Sequence, residues 1–143
     1  MTVDLVVRFP VDDAVLSALH ARGFGGDPAS ADPWAERLER HALTWVGAFD
    51  RGALTGFVQV VWDGGAHAFL LDTVVDPDAQ GRGIGSALVA AAVAEARAAG
   101  CEWLHVDFED HLTGFYLDRN GFRPTRAGLI NLTAGRRSPS AGP

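Results

Sequence analysis

Gln80-Gly81-Arg82-Gly83-Ile84-Gly85, with Ser86 next, sets three glycines in five positions around an arginine. Glycine admits positive φ and lets a ligand approach the main chain closely. An apolar, β-prone run, Leu71 to Val75, precedes this loop, and an alanine-rich helical pattern, Gly83 to Ala99, begins inside it and stops at Gly100. The free N–H groups of a first helical turn point outward, and the helix dipole adds about half a positive charge there. Arg82 supplies a full one. Together these features make a phosphate cradle. The dipole alone contributes about 0.3–1 kcal/mol, so the grip must come mainly from several amide hydrogen bonds and the arginine.

Two familiar phosphate loops do not fit. A Walker loop requires Gly-Lys-Ser/Thr, and the chain contains no lysine. A dinucleotide fingerprint requires G-x-G-x-x-G, but the third glycine counted from Gly81 or Gly83 falls on Ser86 or Leu88. A glycine-rich turn with nothing bound would carry the entropic cost of three glycines without compensation.

Gln80, Gly83 and Gly85 match a Q/R-x-x-G-x-G/A signature. Leu71-Asp72-Thr73-Val74-Val75-Asp76-Pro77 precedes it, and Phe115-Tyr116-Leu117-Asp118-Arg119-Asn120-Gly121-Phe122 follows about 30 residues later. On these segments and their spacing the chain resembles the GNAT superfamily of N-acetyltransferases, and the element order agrees from about residue 3 to 133. The resemblance implies a mixed α/β fold. A central, mostly antiparallel sheet carries one parallel pair, the fourth and fifth strands β4 (His67 to Val75) and β5 (Trp103 to Phe108), splayed at the cofactor slot and flanked by about four helices.

The resemblance further implies that acetyl-CoA is the acyl donor. Its pyrophosphate would lie on the amides of Gly81, Arg82, Gly83, Ile84, Gly85 and Ser86, with Gln80 at the entry. Its pantetheine arm would pair with the backbone of Thr73, Val74 and Val75, as an added strand does, at about 0.5–1.5 kcal/mol per hydrogen bond. Tyr116, the only tyrosine, would protonate the departing thiolate. A phenol is protonated at neutral pH and acidic enough for that step. The alternative for Tyr116 is a packed ring whose hydroxyl is satisfied elsewhere. The family's common asparagine ahead of the Tyr segment is missing, since that stretch reads Glu109-Asp110-His111; His111 is the residue that could replace its contact.

The acceptor amine must lose a proton. At neutral pH an alkylamine is neutral about once in 10³ to 10⁴ molecules, a deficit of about 4–5 kcal/mol. His105, Asp107 and Glu109 alternate along an expected strand, Trp103 to Phe108 and just beyond, and would share one face. His105 and Glu109 are the candidate proton relays, with Asp72 a further one. The opposing reading has these residues binding loop backbone and helix caps. Cys101 lacks a neighbouring base and is assigned to the core, and no histidine spacing forms a metal site. Trp34, Trp45, Trp62 and Trp103 are expected in the core, with Trp34 and His41 as candidates to line an acceptor pocket.

The elements that must position these groups follow from pattern and punctuation. Leu5 to Phe9 is an expected strand ending at Pro10. Asp12 or Asp13 caps a helix ending near Gly23, and Asp32 with Pro33 opens a second helix carrying Trp34, Leu38 and His41. Thr44 to Phe49, Leu54 to Trp62 and His67 to Val75 form a meander turned at Asp50-Arg51-Gly52 and Asp63-Gly64-Gly65. Leu112 to Asn120 is an expected short helix, and Gly128 to Leu132 a last strand.

The 143 residues (15.1 kDa) suffice for one domain, expected over 1–133, with 134–143 as a disordered tail. A net charge of −6 argues against nucleic-acid binding, and no apolar run is long enough to span a bilayer. One cysteine and no basic leader lead to the expectation of a cytoplasmic protein. The expected function is acetyl transfer to a small-molecule or peptide amine by direct attack in a ternary complex, and the family allows a homodimer. The alternatives are a non-catalytic CoA-binding regulatory module on the same fold, and a nucleotide-binding βαβ domain.

Overall fold

The computed structural model describes residues 2–133. Five strands form one sheet in the order β1 (Asp4–Val7), β2 (Ala42–Asp50), β3 (Ala53–Trp62), β4 (His67–Val75) and β5 (Trp103–His105). The first three pairings are antiparallel and β4 pairs with β5 in parallel. Helices α1 (Asp13–Phe24) and α2 (Trp34–His41) precede β2, and α3 (Ile84–Ala98) makes the crossover from β4 to β5. A π-helical segment, Gly114–Arg119, is the fourth. The expected mixed fold is therefore observed. Among the described residues no helix is long and apolar enough to cross a membrane.

Alternation along the strands builds a core on each side of the sheet. Val46, Val58, Val60 and Leu70 meet Ile84, Leu88 and Val89 of α3 and Tyr116. On the other side, Trp45, Phe57 and Val74 meet Phe9, Leu16 and Leu19 and the α2 residues Trp34 and Leu38. The β2–β3 turn is tight because Arg51 and Gly52 both take positive φ (52° and 82°), the mirror-image turn that suits strand twist.

Local chemistry departs from expectation in five places. Helix α2 starts one residue late, with Pro33 at the cap, and Asp13 of α1, rather than Asp32, accepts the Ala35 N–H at 2.8 Å. Strand β5 stops at His105 instead of running to Phe108. The segment expected as a short α-helix is a 3-10 turn, Asp110–Leu112, followed by the π-helical segment. Residues 128–132 form no strand, and Leu129, Ile130 and Leu132 are exposed, so their apolar pattern finds no sheet edge to pair with among the described residues. Trp103, expected in the core, is 50% exposed, with the Arg123 guanidinium over its ring. Cys101 is half-buried at the end of the crossover. The tail expectation, 134–143, lies outside the described residues.

Candidate active site

Strand β4 is the element on which the site is built. Its pairing with β5 covers only His67↔Trp103, Ala68↔Leu104 and Phe69↔His105. Beyond Phe69 the β5 side of the strand is open, leaving main-chain groups free for another partner. On the β3 side the register slips: Phe57 pairs with Val74 and Gln59 with Leu71, so two β4 residues, Asp72 and Thr73, face Val58 alone. This bulge bends the strand, and Asp72 takes a left-handed backbone there (φ 59°).

The loop after β4 is held in place by its own side chains. Asp76 accepts the Asp78 N–H at 3.0 Å, and Gln80 Nε2 donates to the Val75 carbonyl at 3.2 Å. Arg22 of α1 binds both Asp76 (2.8 Å) and Asp78 (3.2 Å). Gly83 caps α3 with φ 79°, a conformation that costs any other residue about 1–2 kcal/mol, and a Cβ on it would enter open space. The first turn of α3 contains no acidic residue, so the positive end of the helix is left uncompensated. Arg82 lies 3.5 Å from Asp50 at the end of β2.

The third glycine serves a different purpose. A Cβ on Gly85 would lie 3.2 Å from Phe115 Cζ, so the first turn of α3 and the π-helical segment touch there. Asn120 reinforces the contact by donating to Ser86 Oγ (3.3 Å) and to the Phe115 carbonyl (2.8 Å). Tyr116 is thereby set between the rings of Phe108 (5.0 Å, stacked), Phe115 (4.8 Å) and Phe122 (5.7 Å). Its ring is buried, yet its hydroxyl makes no hydrogen bond among the described residues.

These pieces enclose a cavity of about 420 Å³, lined by Thr73 and Val75 of β4, by Gln80, Gly81, Gly83, Ile84, Gly85 and Ser86, and by Leu112, Phe115, Tyr116 and Arg119. Nine of the sequence candidates thus meet in one place. Val74 instead points into the core on the opposite face, and the Arg82 side chain lies toward Asp50. His105 and Glu109 do not line the cavity either. His105 stacks on Phe69 at 4.6 Å and shares a 2.8 Å hydrogen bond with His67. Glu109 is exposed and lies 3.6 Å from His111. Because β5 ends at His105, positions 107 and 109 no longer share its strand face. Among the described residues no group of three potential metal ligands occurs.

Leu112, Phe115 and Arg119 are lining residues that sequence reasoning did not single out. Arg119 follows Tyr116 by three positions, a spacing that puts both on one helical side, and it makes no ion pair among the described residues. The cavity therefore joins a helix N-terminus, a free guanidinium, an unpaired strand edge and an unpartnered phenol. The first two suit a phosphate, the third an extended amide-bearing arm, and the fourth a proton transfer.

The sequence model of the Acetyltransferase (GNAT) family matches residues 14–122. No curated protein sequence matches the chain. Among solved structures, the fold is similar to that of an acetyltransferase of Trypanosoma brucei, with a TM-score of 0.76 and 21% identity over 91% of this chain and 99% of that one. A GNAT family acetyltransferase of Streptococcus pneumoniae TIGR4 aligns with a TM-score of 0.72 and 23% identity over 92% and 99%. The aminoglycoside N-acetyltransferase AAC(6')-Iy, solved in complex with CoA, aligns with a TM-score of 0.71 and 19% identity over 91% and 93%.

Proposed function

The chain belongs to the GNAT family of acetyltransferases, and from that premise we propose that it moves an acetyl group from acetyl-CoA to the primary amine of a small-molecule or peptide acceptor. The observation that carries this reading is the single cavity in which the Gln80–Ser86 loop, the open edge of β4 and the unpartnered Tyr116 hydroxyl meet. The fit to the donor is chemical. Gly81 and Gly83 leave open space where a side chain would stand, and Arg119 lines the same cavity as the first turn of α3. The aminoglycoside acetyltransferase with bound CoA has the same fold.

When bound, acetyl-CoA supplies a thioester whose carbonyl carbon accepts the amine. The chain's own groups do the rest. The amides of Gly83, Ile84, Gly85 and Ser86, with Gly81 and Arg82 before them, hold the diphosphate. The main chain of Thr73, Val74 and Val75 pairs with the pantetheine arm and offers an N–H to the carbonyl oxygen as negative charge develops on it. The Tyr116 hydroxyl gives its proton to the leaving sulfur. A proton relay through His105 or Glu109 would run through water, since neither lines the cavity. The attack is direct: the cavity lining contains no cysteine, and among the described residues neither the Thr73 nor the Ser86 hydroxyl is hydrogen-bonded to a base that would activate it.

Incubation with acetyl-CoA and a panel of primary amines, following free thiol, tests the reading. Calorimetry with CoA and with NAD accompanies it. Release of thiol that depends on an amine, with CoA bound and NAD not, is the expected result. Tight CoA binding with no turnover across the panel would favour a regulatory CoA-binding module, and binding of NAD instead would overturn both.

A further inference from the structure

On the face of the sheet opposite α3, Asp72 stands at the centre of a network that acetyl transfer as described above leaves unused. Its Oδ1 is 2.9 Å from His20 Nε2 of α1, and its Oδ2 accepts from Gln59 Nε2 of β3 at 2.6 Å. Each carboxylate oxygen has two acceptor sites, so about half of the capacity of Asp72 is still open. The side chains of Asp72 and His20 are each 27% exposed, so that capacity can be reached from solvent. The ion-pair partner is the His20 imidazole, and the Arg22 guanidinium of the same helix is turned instead to Asp76 and Asp78. The negative charge is thus held in place without being cancelled by a fixed cation.

The location is equally specific. Asp72 is the left-handed residue of the β4 bulge, and its neighbour Thr73 lines the cavity on the other face. Strained residues of this kind persist where surrounding contacts over-determine them, here two side chains from two other elements. Beyond Phe69 β4 has no β5 partner, so the strand edge at Asp72 and the cavity-lining Thr73 is open on that side. Exposed apolar side chains surround the carboxylate's polar partners. The His20 ring packs on Phe24 (4.5 Å) and Trp34 (5.0 Å), and Phe24 is 57% exposed. Leu71, which pairs with Gln59 and so shares its face, and Phe69 beyond it are also exposed. An anion beside exposed aromatic and aliphatic surface fits an ammonium on an apolar body, through charge on one side and ring contact on the other.

We propose that the Asp72 carboxylate, held by His20 and Gln59, receives the ammonium of the acceptor, and that this acceptor is a primary amine carried on an aromatic or other apolar scaffold. The proposal deepens the acetyl-transfer reading and rests on it.

The test is a calorimetric titration of 2-phenylethylamine and of 2-phenylethanol, its uncharged counterpart, into the CoA-bound full chain. The amine should bind at least about tenfold more tightly than the alcohol, the margin of one hydrogen bond to a charged group. In Asp72→Asn, whose amide keeps one acceptor for His20 while Gln59 reverses its own amide to serve the other side, the two probes should bind alike and CoA affinity should not change. His20→Gln keeps a donor to Asp72 and should keep the preference. In parallel, the side-chain amide resonances of Gln59 in the wild-type protein should shift on titration with the amine. This measurement stands even if Asp72→Asn fails to fold. Equal binding of amine and alcohol, no measurable binding of the amine, a preference surviving in Asp72→Asn, or unmoved Gln59 resonances would each overturn the proposal. Failure of the wild-type chain to bind CoA would instead strike the acetyl-transfer reading on which it rests.

Discussion

Gly85 and Phe115 touch so closely that a methyl group on the glycine would lie 3.2 Å from the ring's Cζ. Thirty residues of chain separate them, and the contact joins the loop that would hold the diphosphate to the segment that carries Tyr116. The Asn120–Ser86 hydrogen bond, at 3.3 Å, spans the same junction. On the proposed reading, donor binding and proton delivery would therefore depend on one shared corner rather than on two independent loops.

Gly85→Val pushes on that corner. Overpacking of this kind costs about 1–3 kcal/mol, and the displaced Phe115 carries Tyr116 with it. The midpoint of denaturant unfolding should fall by the corresponding amount, and turnover should fall more than CoA affinity does.

Gly83→Glu acts on the cradle from the other side. No atom stands within 4 Å of the position of a Cβ here, so the packing is untouched, but the positive φ adds about 1–2 kcal/mol of strain. The new carboxylate would face the bound diphosphate. CoA affinity by calorimetry should drop about 100-fold or more while the far-ultraviolet circular dichroism spectrum is unchanged.

Tyr116→Phe removes a hydroxyl that has no partner in the described structure. Thermal stability and CoA affinity should therefore be nearly unchanged, whereas kcat should fall about 10²- to 10⁴-fold if the phenol protonates the leaving sulfur. An unchanged kcat removes Tyr116 from the mechanism.

The pH dependence follows from the acceptor. Only the neutral amine attacks, and protonation lowers its concentration tenfold for each pH unit below its own ionisation. For an alkylamine with a value of about 10.4, log kcat/KM should rise with a slope of about +1 between pH 6.5 and 8.5. A flat profile over that window would mean that the enzyme takes up the ammonium and removes its proton after binding.

Leu88→Ala tests the packing that holds α3 on the sheet. Leu88 is fully buried, and its Cδ1 sits 2.9 Å from where a side chain on Gly56 would begin, so no larger neighbour can close the gap. A loss of about 2–5 kcal/mol is expected in chemical denaturation.

What the sequence determined by itself is local in origin. The Arg51-Gly52 turn, the Asp12 cap on α1 (3.0 and 3.1 Å to the Ala14 and Val15 amides), the start of α3 at Gly83 and the meander were all legible, because each depends on φ preference, capping or period within a few residues. The Gln80–Ser86 loop belongs to the same class, and Tyr116 was singled out by the family resemblance that this loop and the Phe115–Phe122 segment carry.

Tertiary structure decided whatever required two distant segments to agree. The strand expected to bring His105, Asp107 and Glu109 onto one face ends at His105, since only three residues of β4 pair with it before the two diverge. The apolar pattern of 128–132 was a strand in sequence alone, because a strand also needs an edge to pair with, and pattern does not supply one. The bulge that turns Asp72 toward His20, 52 positions away, arises from a register slip between β3 and β4. Nothing local encodes that slip: it is fixed by how the side chains on both faces of the sheet pack at once.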